Sequence, residues 1–185
     1  MTEVPTGPVP DLVEPVIGFR QWSVRGDRLY SPFHGDVWDD VELAASCESG
    51  THHPTDVPAP GCECGVYAYY DQPPRSASAT RDLVIGAVAL WGQMRLHGAG
   101  MRASHARIVG LVLPPTTGAK RRRLVAAAAY LEVPAVPFRR LEAVAGGYGA
   151  PTPAAMRPPR TPLPWECPLG EARVSGRLAA FARRN

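Results

Sequence analysis

The distribution of glycine and proline limits what this chain can fold into more than any other feature of its sequence. The 185 residues include 18 Gly and 21 Pro, and these interrupt most segments, so long helices are excluded over most of the chain. Hydrophobic residues make up 45% and charged residues 20%, which is average for a globular protein. We therefore predict one compact domain of short elements joined by many turns.

The sequence also indicates a compartment. It contains no run of eighteen apolar residues, and the segment that follows Met1 has neither a basic stretch nor an apolar core of the signal-peptide type. These features predict a cytoplasmic protein that does not enter the membrane. Because cytoplasmic thiols stay reduced, the four cysteines are better explained as metal ligands, reactive thiols or small buried residues than as two disulfides.

Two pairs of apolar segments predict β-hairpins. Large apolar and polar residues alternate over 19–24, and after a turn the pattern resumes over 29–33. A longer pair covers 83–97 and 103–113, and glycines interrupt both of its strands. This pattern predicts a curved antiparallel sheet or a small half-open β-barrel.

Helical patterns follow the second hairpin. The alanine-rich segment 117–131 is the clearest helix in the chain, 139–145 predicts a second short one, and 176–184 predicts a third. The expected fold class is therefore α+β, with two or three short helices after the sheet.

Composition divides the chain into three parts. Residues 1–17 form a predicted extended, proline-rich leader, and residues 18–148 form the predicted zinc-stabilised α+β domain. Residues 149–185 are predicted to be a proline-rich basic arm that ends in the short C-terminal helix.

Thiols and imidazoles are concentrated in one turn-rich segment, which contains Cys47, His52, His53, Cys62 and Cys64. Three thiolates and one imidazole match the donor set of a tetrahedral zinc site. Adjacent residues of an extended loop diverge, so we expect only one of the two histidines to bind. We prefer His53, because the proline after it stiffens the loop.

The two cysteines of the C-x-C pair would point to opposite faces of a straight strand. Both reach one ion only if the backbone folds around it, and Gly61 and Gly65, which flank the pair, make such a knuckle accessible. We therefore predict zinc bound by Cys47, His53, Cys62 and Cys64. With four protein donors the site has no open position, so its role is structural.

The spacing of these residues is not one of the common zinc-finger spacings, and alternatives stay open. The segment is also compatible with a loop of incidental thiols, with a disulfide between Cys47 and one of the other cysteines, or with a redox-active or nucleophilic thiol. Cys167 stands alone in the proline-rich arm and is most simply an unpaired thiol.

Several short segments resemble a group of uncharacterised proteins from high-GC Gram-positive bacteria, and the resemblance covers about residues 17–150. It rests on GFRQW at 18–22, the positions Cys47 and His53, CECGVYA at 62–68, GAVALWG at 86–92 and GMRA at 100–103. The resemblance implies that the Cys/His pattern belongs together. No activity is attached to the group, so it implies no function.

Charge is distributed unevenly. Residues 1–100 contain 6 basic and 13 acidic residues, whereas residues 101–185 contain 14 basic and 4 acidic ones. Basic residues at the start of the best helix oppose the helix dipole, so their position is not explained by helix stability and suggests a contact role. The expected contact residues are Lys120, Arg121, Arg122, Arg123, Arg139 and Arg140.

No nucleophile elbow, P-loop or dinucleotide-binding fingerprint is present in the sequence, so catalysis is not favoured. We expect a non-enzymatic, zinc-binding adaptor or regulatory module with a protein partner. One alternative is a nucleic-acid-binding protein that uses the basic helix 120–131. Another is a small-molecule enzyme with its site in the barrel mouth, near Trp91, His97 or His105.

Overall fold

The computed structural model describes residues 14–32, 35–74, 83–115, 117–160 and 162. It confirms a mixed α+β fold with a core that is mostly sheet. The strands are Val16–Arg25 (β1), Arg28–Tyr30 (β2), Val37–Trp38 (β3), Glu42–Ala44 (β4), Val66–Tyr69 (β5), Leu83–His97 (β6), Gly100–Val112 (β7), Ala135–Val136 (β8) and Ala150–Pro151 (β9), and the helices are Ala119–Tyr130 (α1) and Leu141–Ala145 (α2). The predicted helix at 176–184 lies outside the described residues.

Both predicted hairpins are confirmed. In the first, β1 pairs with β2 from Ser23↔Tyr30 to Arg25↔Arg28. In the second, β6 and β7 pair antiparallel as far as His97↔Gly100, and β1 adds to the free edge of β6. The two longest strands therefore form the centre of the sheet.

Pairing around these strands returns to its starting point. β7 pairs with β5 on the edge opposite β6, and β5 meets β1 at Phe19↔Tyr69. The sequence of pairings is thus β1, β6, β7, β5 and again β1, which requires strong curvature. Small residues permit the close approach: a Cβ on Gly100 would lie 2.1 Å from the carbonyl oxygen of Ala68, and one on Gly18 would lie 2.7 Å from the Ala68 Cβ.

Two hydrophobic clusters cover the two faces of the sheet. The inner cluster contains Trp22 and Trp38, whose rings meet edge to face at 5.5 Å, and Leu124 of α1 closes it. The outer cluster is covered by α2, which packs Leu141 against the strand residues. Because β6 is covered on both faces along its first half, its sequence there is a continuous apolar run.

The chain continues to pack against the sheet beyond residue 148, where the predicted α+β domain ends. β9 pairs in parallel with the start of β1, Thr152 is buried, and the guanidinium of Arg157 lies 4.8 Å from the centre of the Tyr70 ring. Residues 149–160, which were predicted to belong to a proline-rich arm, are therefore packed against the sheet, and regular structure within them is limited to β9 and one 3-10 turn. Among the described helices, none is long and apolar enough to cross a membrane.

A half-buried arginine bridges the sheet where backbone pairing between β1 and β5 is sparse. Arg20 donates from Nη1 to the carbonyl oxygen of Tyr67 at 2.6 Å and from Nη2 to Oγ of Ser31 at 2.9 Å. Its guanidinium also lies 5.9 Å from the ring centre of Trp22 and 5.4 Å from that of Trp38. Burial lowers the pKa of Arg20 to about 10, because removing the charge from water disfavours it.

We predict that Arg20→Lys destabilises the protein by about 1–3 kcal/mol, because a single ammonium cannot donate in both directions as the guanidinium fork does. Urea denaturation followed by tryptophan fluorescence measures the change in unfolding free energy. Arg25→Lys on the same strand is the matched control, since Arg25 is exposed, and its effect should stay within about 0.5 kcal/mol. Equal losses in the two variants would contradict a bridging role for Arg20.

Candidate metal centre

The cysteine-rich segment is a loop that leaves and rejoins one edge of one strand. β4 pairs with β7 up to Ala44↔His105, and the backbone N–H of Ala45 donates to the carbonyl oxygen of Ser104 at 2.7 Å. β5 then resumes the pairing at Val66↔Ala103. Residues 46–65, which we call the metal loop, therefore begin and end at neighbouring positions on β7.

Four donor atoms converge inside the metal loop. The sulfurs of Cys47, Cys62 and Cys64 and a ring nitrogen of His52 all lie within 4.8 Å of one another. Cys47 Sγ is 3.8 Å from Cys62 Sγ and 3.2 Å from Nδ1 of His52. Two sulfurs bound tetrahedrally to one zinc ion are about 3.8 Å apart, given Zn–S bonds of about 2.3 Å. The group therefore has the size needed to hold one ion.

The backbone around the C-x-C pair turns as the flanking glycines suggested. Gly61 has φ of 70° and Gly65 has φ of 110°, values that a residue with a side chain rarely adopts. A Cβ on Gly65 would also lie 2.9 Å from the Cβ of Pro58. These two turns bring Cys62 and Cys64 to the same side of the chain.

The structure brings a different histidine to the thiols than the one preferred from the sequence. His53 caps the 3-10 turn Pro54–Asp56, where its Nδ1 lies 2.9 Å from Oγ1 of Thr55 and accepts from the Thr55 backbone N–H. The proline after His53 therefore starts a turn that engages this imidazole, rather than stiffening the loop for a metal. His52, one residue earlier, faces Cys47 instead.

Three side chains of the β6–β7 hairpin attach the metal loop to the sheet. Gln93 donates to the carbonyl oxygen of Thr55, and Arg95 donates from Nε to that of Pro58 at 2.7 Å. Arg102 donates from Nη1 to the carbonyl oxygens of both Cys62 and Cys64. One guanidinium therefore binds both carbonyls of the knuckle. The same guanidinium is oriented by a second hydrogen bond, which its Nε donates to Nε2 of His97 at 3.0 Å.

The surroundings of Cys47 favour its thiolate form, whereas those of Cys64 favour its thiol form. Hydrogen bonds from Ser49, His52 and Thr51 lower the pKa of the Cys47 thiol to about 5. Burial raises the pKa of the Cys64 thiol. Burial also lowers the pKa of His97, and the nearby charges of Arg102 and Arg95 lower it further, which agrees with a neutral imidazole that accepts from Arg102.

The arrangement is suited to binding one metal ion. Three sulfurs and one imidazole nitrogen make a complete tetrahedral donor set for a soft or borderline metal ion. When all four bind, no coordination position remains for water or substrate.

No protein-family model, curated protein or solved structure matches the chain.

The basic residues predicted to contact a partner divide into two groups. Lys120 donates from Nζ to the carbonyl oxygen of Leu83 at 2.9 Å, and Arg121 donates from Nη1 to that of Pro114, also at 2.9 Å. These two contacts attach the start of α1 to the strands, which explains two charges that the helix dipole does not favour. The exposed members of the set are Arg122, Arg123, Arg139 and Arg140.

Of the three residues named for an enzymatic site, the structure brings Trp91 and His105 together, whereas His97 lies at the tip of the hairpin. His97 pairs with Gly100 and His105 with Trp91, and the rings of His105 and Trp91 stack at 5.7 Å. The inner face of the sheet is filled by side chains such as Met101. A cleft of about 90 Å³ lies at the tip of the β6–β7 hairpin, which is small compared with typical ligand pockets of roughly 300–1,000 Å³.

Sequence reasoning did not identify Arg102, Gln93 and Arg95. The signal that would identify the two arginines is their register: Arg95 lies directly opposite Arg102, so two like charges occur side by side on one face of the hairpin. Recognising this needs the pairing of β6 with β7 residue by residue, which the positions of the glycines do not determine.

We predict that Arg102→Ala weakens metal binding by about 10–100-fold, because the carbonyls that shape the knuckle lose their donor. Competition with a chromophoric chelator measures the affinity. Arg107→Ala on the same strand is the control, since Arg107 pairs with exposed Glu42 at 2.8 Å. A similar loss of affinity in both variants would show that Arg102 acts only through general stability.

Proposed function

We propose that this protein is a non-enzymatic module that binds one zinc ion through Cys47, His52, Cys62 and Cys64 and contacts a macromolecular partner. The observation that carries the proposal is the convergence of these four donor atoms within 4.8 Å. Three thiolates with one imidazole favour zinc over the hard cations, which prefer oxygen ligands. A cytoplasmic location belongs to the same proposal, because thiols are kept reduced there.

The ion has a structural task in this fold. The metal loop contains little regular structure, and its residues from Glu48 to Thr51 are exposed or half-buried. A bond between its first and last thirds closes it at the edge of β7, where its two ends already lie side by side. Zinc therefore stabilises the loop by limiting the conformations that the open chain can adopt.

The order in which the strands pair supports a more specific description of the fold. Pairing that passes through β1, β6, β7 and β5 and returns to β1 is the pattern of a small, half-open β-barrel, and we propose that architecture here. The zinc-closed loop then covers the outer face of the barrel at the β6–β7 hairpin, where Gln93, Arg95 and Arg102 contact it.

A partner role fits the surface of the module. The ordered loop presents backbone and polar side chains that a partner can recognise, and an adaptor needs a stiff surface rather than a catalytic cleft. The sequence carries an acidic first part and a basic second part, and charges of both signs can orient a partner as it binds. We propose a regulatory or adaptor role with a protein partner.

A nucleic acid is the second candidate partner. It is favoured by the exposure of Arg122 and Arg123 at the start of α1, together with Arg139 and Arg140. In the part of the chain that the structure describes, Arg122 and Arg123 form no ion pair. Guanidinium groups in this state are suited to phosphate contacts.

We predict that protein purified without chelator contains about one zinc ion per chain, and that Cys62→Ser or Cys64→Ser removes it. The two adjacent histidines give a matched pair: His52→Asn should lower the zinc content and His53→Asn should preserve it. Metal analysis by mass spectrometry measures the content, and thermal unfolding with and without EDTA measures what the ion contributes to stability. Metal-free protein in every sample, with unchanged thermal midpoints, would refute the site.

We predict that, if the partner is a nucleic acid, Arg122→Ala/Arg123→Ala weakens binding and reduces the slope of log K against log[salt] by about 2, because each lost phosphate contact lowers the slope by about one. Gel-shift titration at two salt concentrations measures both. Lys120→Ala is the informative comparison, since Lys120 already bonds a backbone carbonyl. Absence of binding at low salt would eliminate this candidate and leave the protein partner.

A further inference from the structure

We infer that Cys47 and Cys62 are a redox modification site, at which a hydroperoxide converts the two thiolates into a disulfide that replaces the metal as the closure of the metal loop. The disulfide itself depends only on where the two sulfurs lie. The accompanying release of metal rests on the proposed function.

The first support is the separation of the two sulfurs. Cys47 Sγ and Cys62 Sγ are 3.8 Å apart, and a disulfide requires about 2.05 Å. The intervening gap is of the size that side-chain rotation closes in an exposed loop. Both residues are half-buried rather than enclosed, so a small oxidant reaches them from solvent.

The second support is the polar environment of Cys47. Its sulfur lies 3.0 Å from the hydroxyl oxygen of Ser49 and 3.7 Å from that of Thr51, and both residues are exposed. These hydroxyls donate to a developing negative charge and admit water and peroxide to the sulfur. Cys47 is therefore the thiol that meets the oxidant, and Cys62 is the one that resolves the product.

Cys64 is a poorer partner for either sulfur. Its Sγ accepts a hydrogen bond from the backbone N–H of Ala59 at 3.3 Å, which holds it toward the interior of the loop. A bond between Cys62 and Cys64 would also close a ring across only one intervening residue, Glu63, and short closures of this kind are strained. The geometry thus selects one of the three possible pairs.

The reaction is balanced with one equivalent of hydroperoxide. The thiolate of Cys47 attacks one peroxide oxygen, the O–O bond breaks, and the departing hydroxide (or alkoxide) takes one proton from the buffer to become water (or alcohol), leaving a sulfenic acid on Cys47. The thiolate of Cys62 then attacks this sulfur, the S–O bond breaks, and the second hydroxide is protonated to water. Two electrons pass from the two sulfurs to the peroxide.

The product has a consequence specific to this loop. Only His52 and Cys64 remain as donors, too few for a closed tetrahedral site, so the ion is released. Cys47 follows β4 and Cys62 precedes β5 in the chain, so the disulfide joins the same two ends of the metal loop that the metal joined. Oxidation therefore frees the ion without opening the loop, and the pairing of β5 with β7 is retained.

Peptide mapping of the full-length chain, with Cys167→Ser to remove the fourth thiol, tests the inference. Zinc-loaded and metal-free samples are treated with hydrogen peroxide and then blocked and digested with a glutamate-specific protease. Cleavage after Glu42, Glu48 and Glu63 places each of the three cysteines on a separate fragment. We expect fragments 43–48 and 49–63 to be joined, one zinc ion released per disulfide, and both changes reversed by dithiothreitol and added zinc.

Variants and the metal-free arm separate the possible failures. Cys64→Ser should still form the bond between Cys47 and Cys62, whereas Cys62→Ser should not join these fragments. Mapping to Cys62–Cys64, oxidation beyond sulfenic acid with no disulfide, or peroxide-treated protein that keeps its zinc and free thiols would overturn the inference. A disulfide formed in a protein that never binds zinc would support this site and refute the proposed function.

Discussion

Pairing along the two edges of β7 is the constraint on which the rest of the structure depends. One edge is occupied by β6 along most of its length, and the other is shared by β5, β4 and β8 in succession. The contact of β5 with β1 then curves the whole sheet, which requires glycine where backbones approach. Because β4 and β5 must occupy neighbouring positions on one strand, the metal loop between them has fixed ends.

Such a loop cannot be stabilised by a core of its own. It buries the short run Val57, Pro58 and Ala59, while most of its remaining residues are polar or exposed. Hydrogen bonds from Gln93, Arg95 and Arg102 hold its backbone against the hairpin at Thr55, Pro58 and Cys62. A cross-link between the two ends of the loop would provide the stability that packing does not. The four donor atoms lie where they can form such a cross-link.

Much of this fold could be predicted from the sequence, because the long apolar hairpin, the alanine-rich helix and the Cys/His group each have a local signature. What the sequence did not show depended on contacts that are distant in sequence or on competition within a turn. The preference for His53 overlooked that a residue before proline also caps the following turn. Lys120 and Arg121 suggested a binding role, but they bond carbonyls at the ends of strands, which only the tertiary structure reveals.

Charge beneath the knuckle links the hairpin to the site above it. Arg95 and Arg102 are directly opposite each other on β6 and β7, and like charges in this relation are destabilising. A divalent ion held by three thiolates and a neutral imidazole would carry one net negative charge, and free thiolates would carry more. Burial lowers the pKa of Arg102 and the charge of Arg95 lowers it further, whereas negative charge on Cys64 and Cys62 raises it. The paired arginines are therefore understandable as the counter-charge of an anionic sulfur cluster, and the strand sequence and the loop sequence form one electrostatic unit.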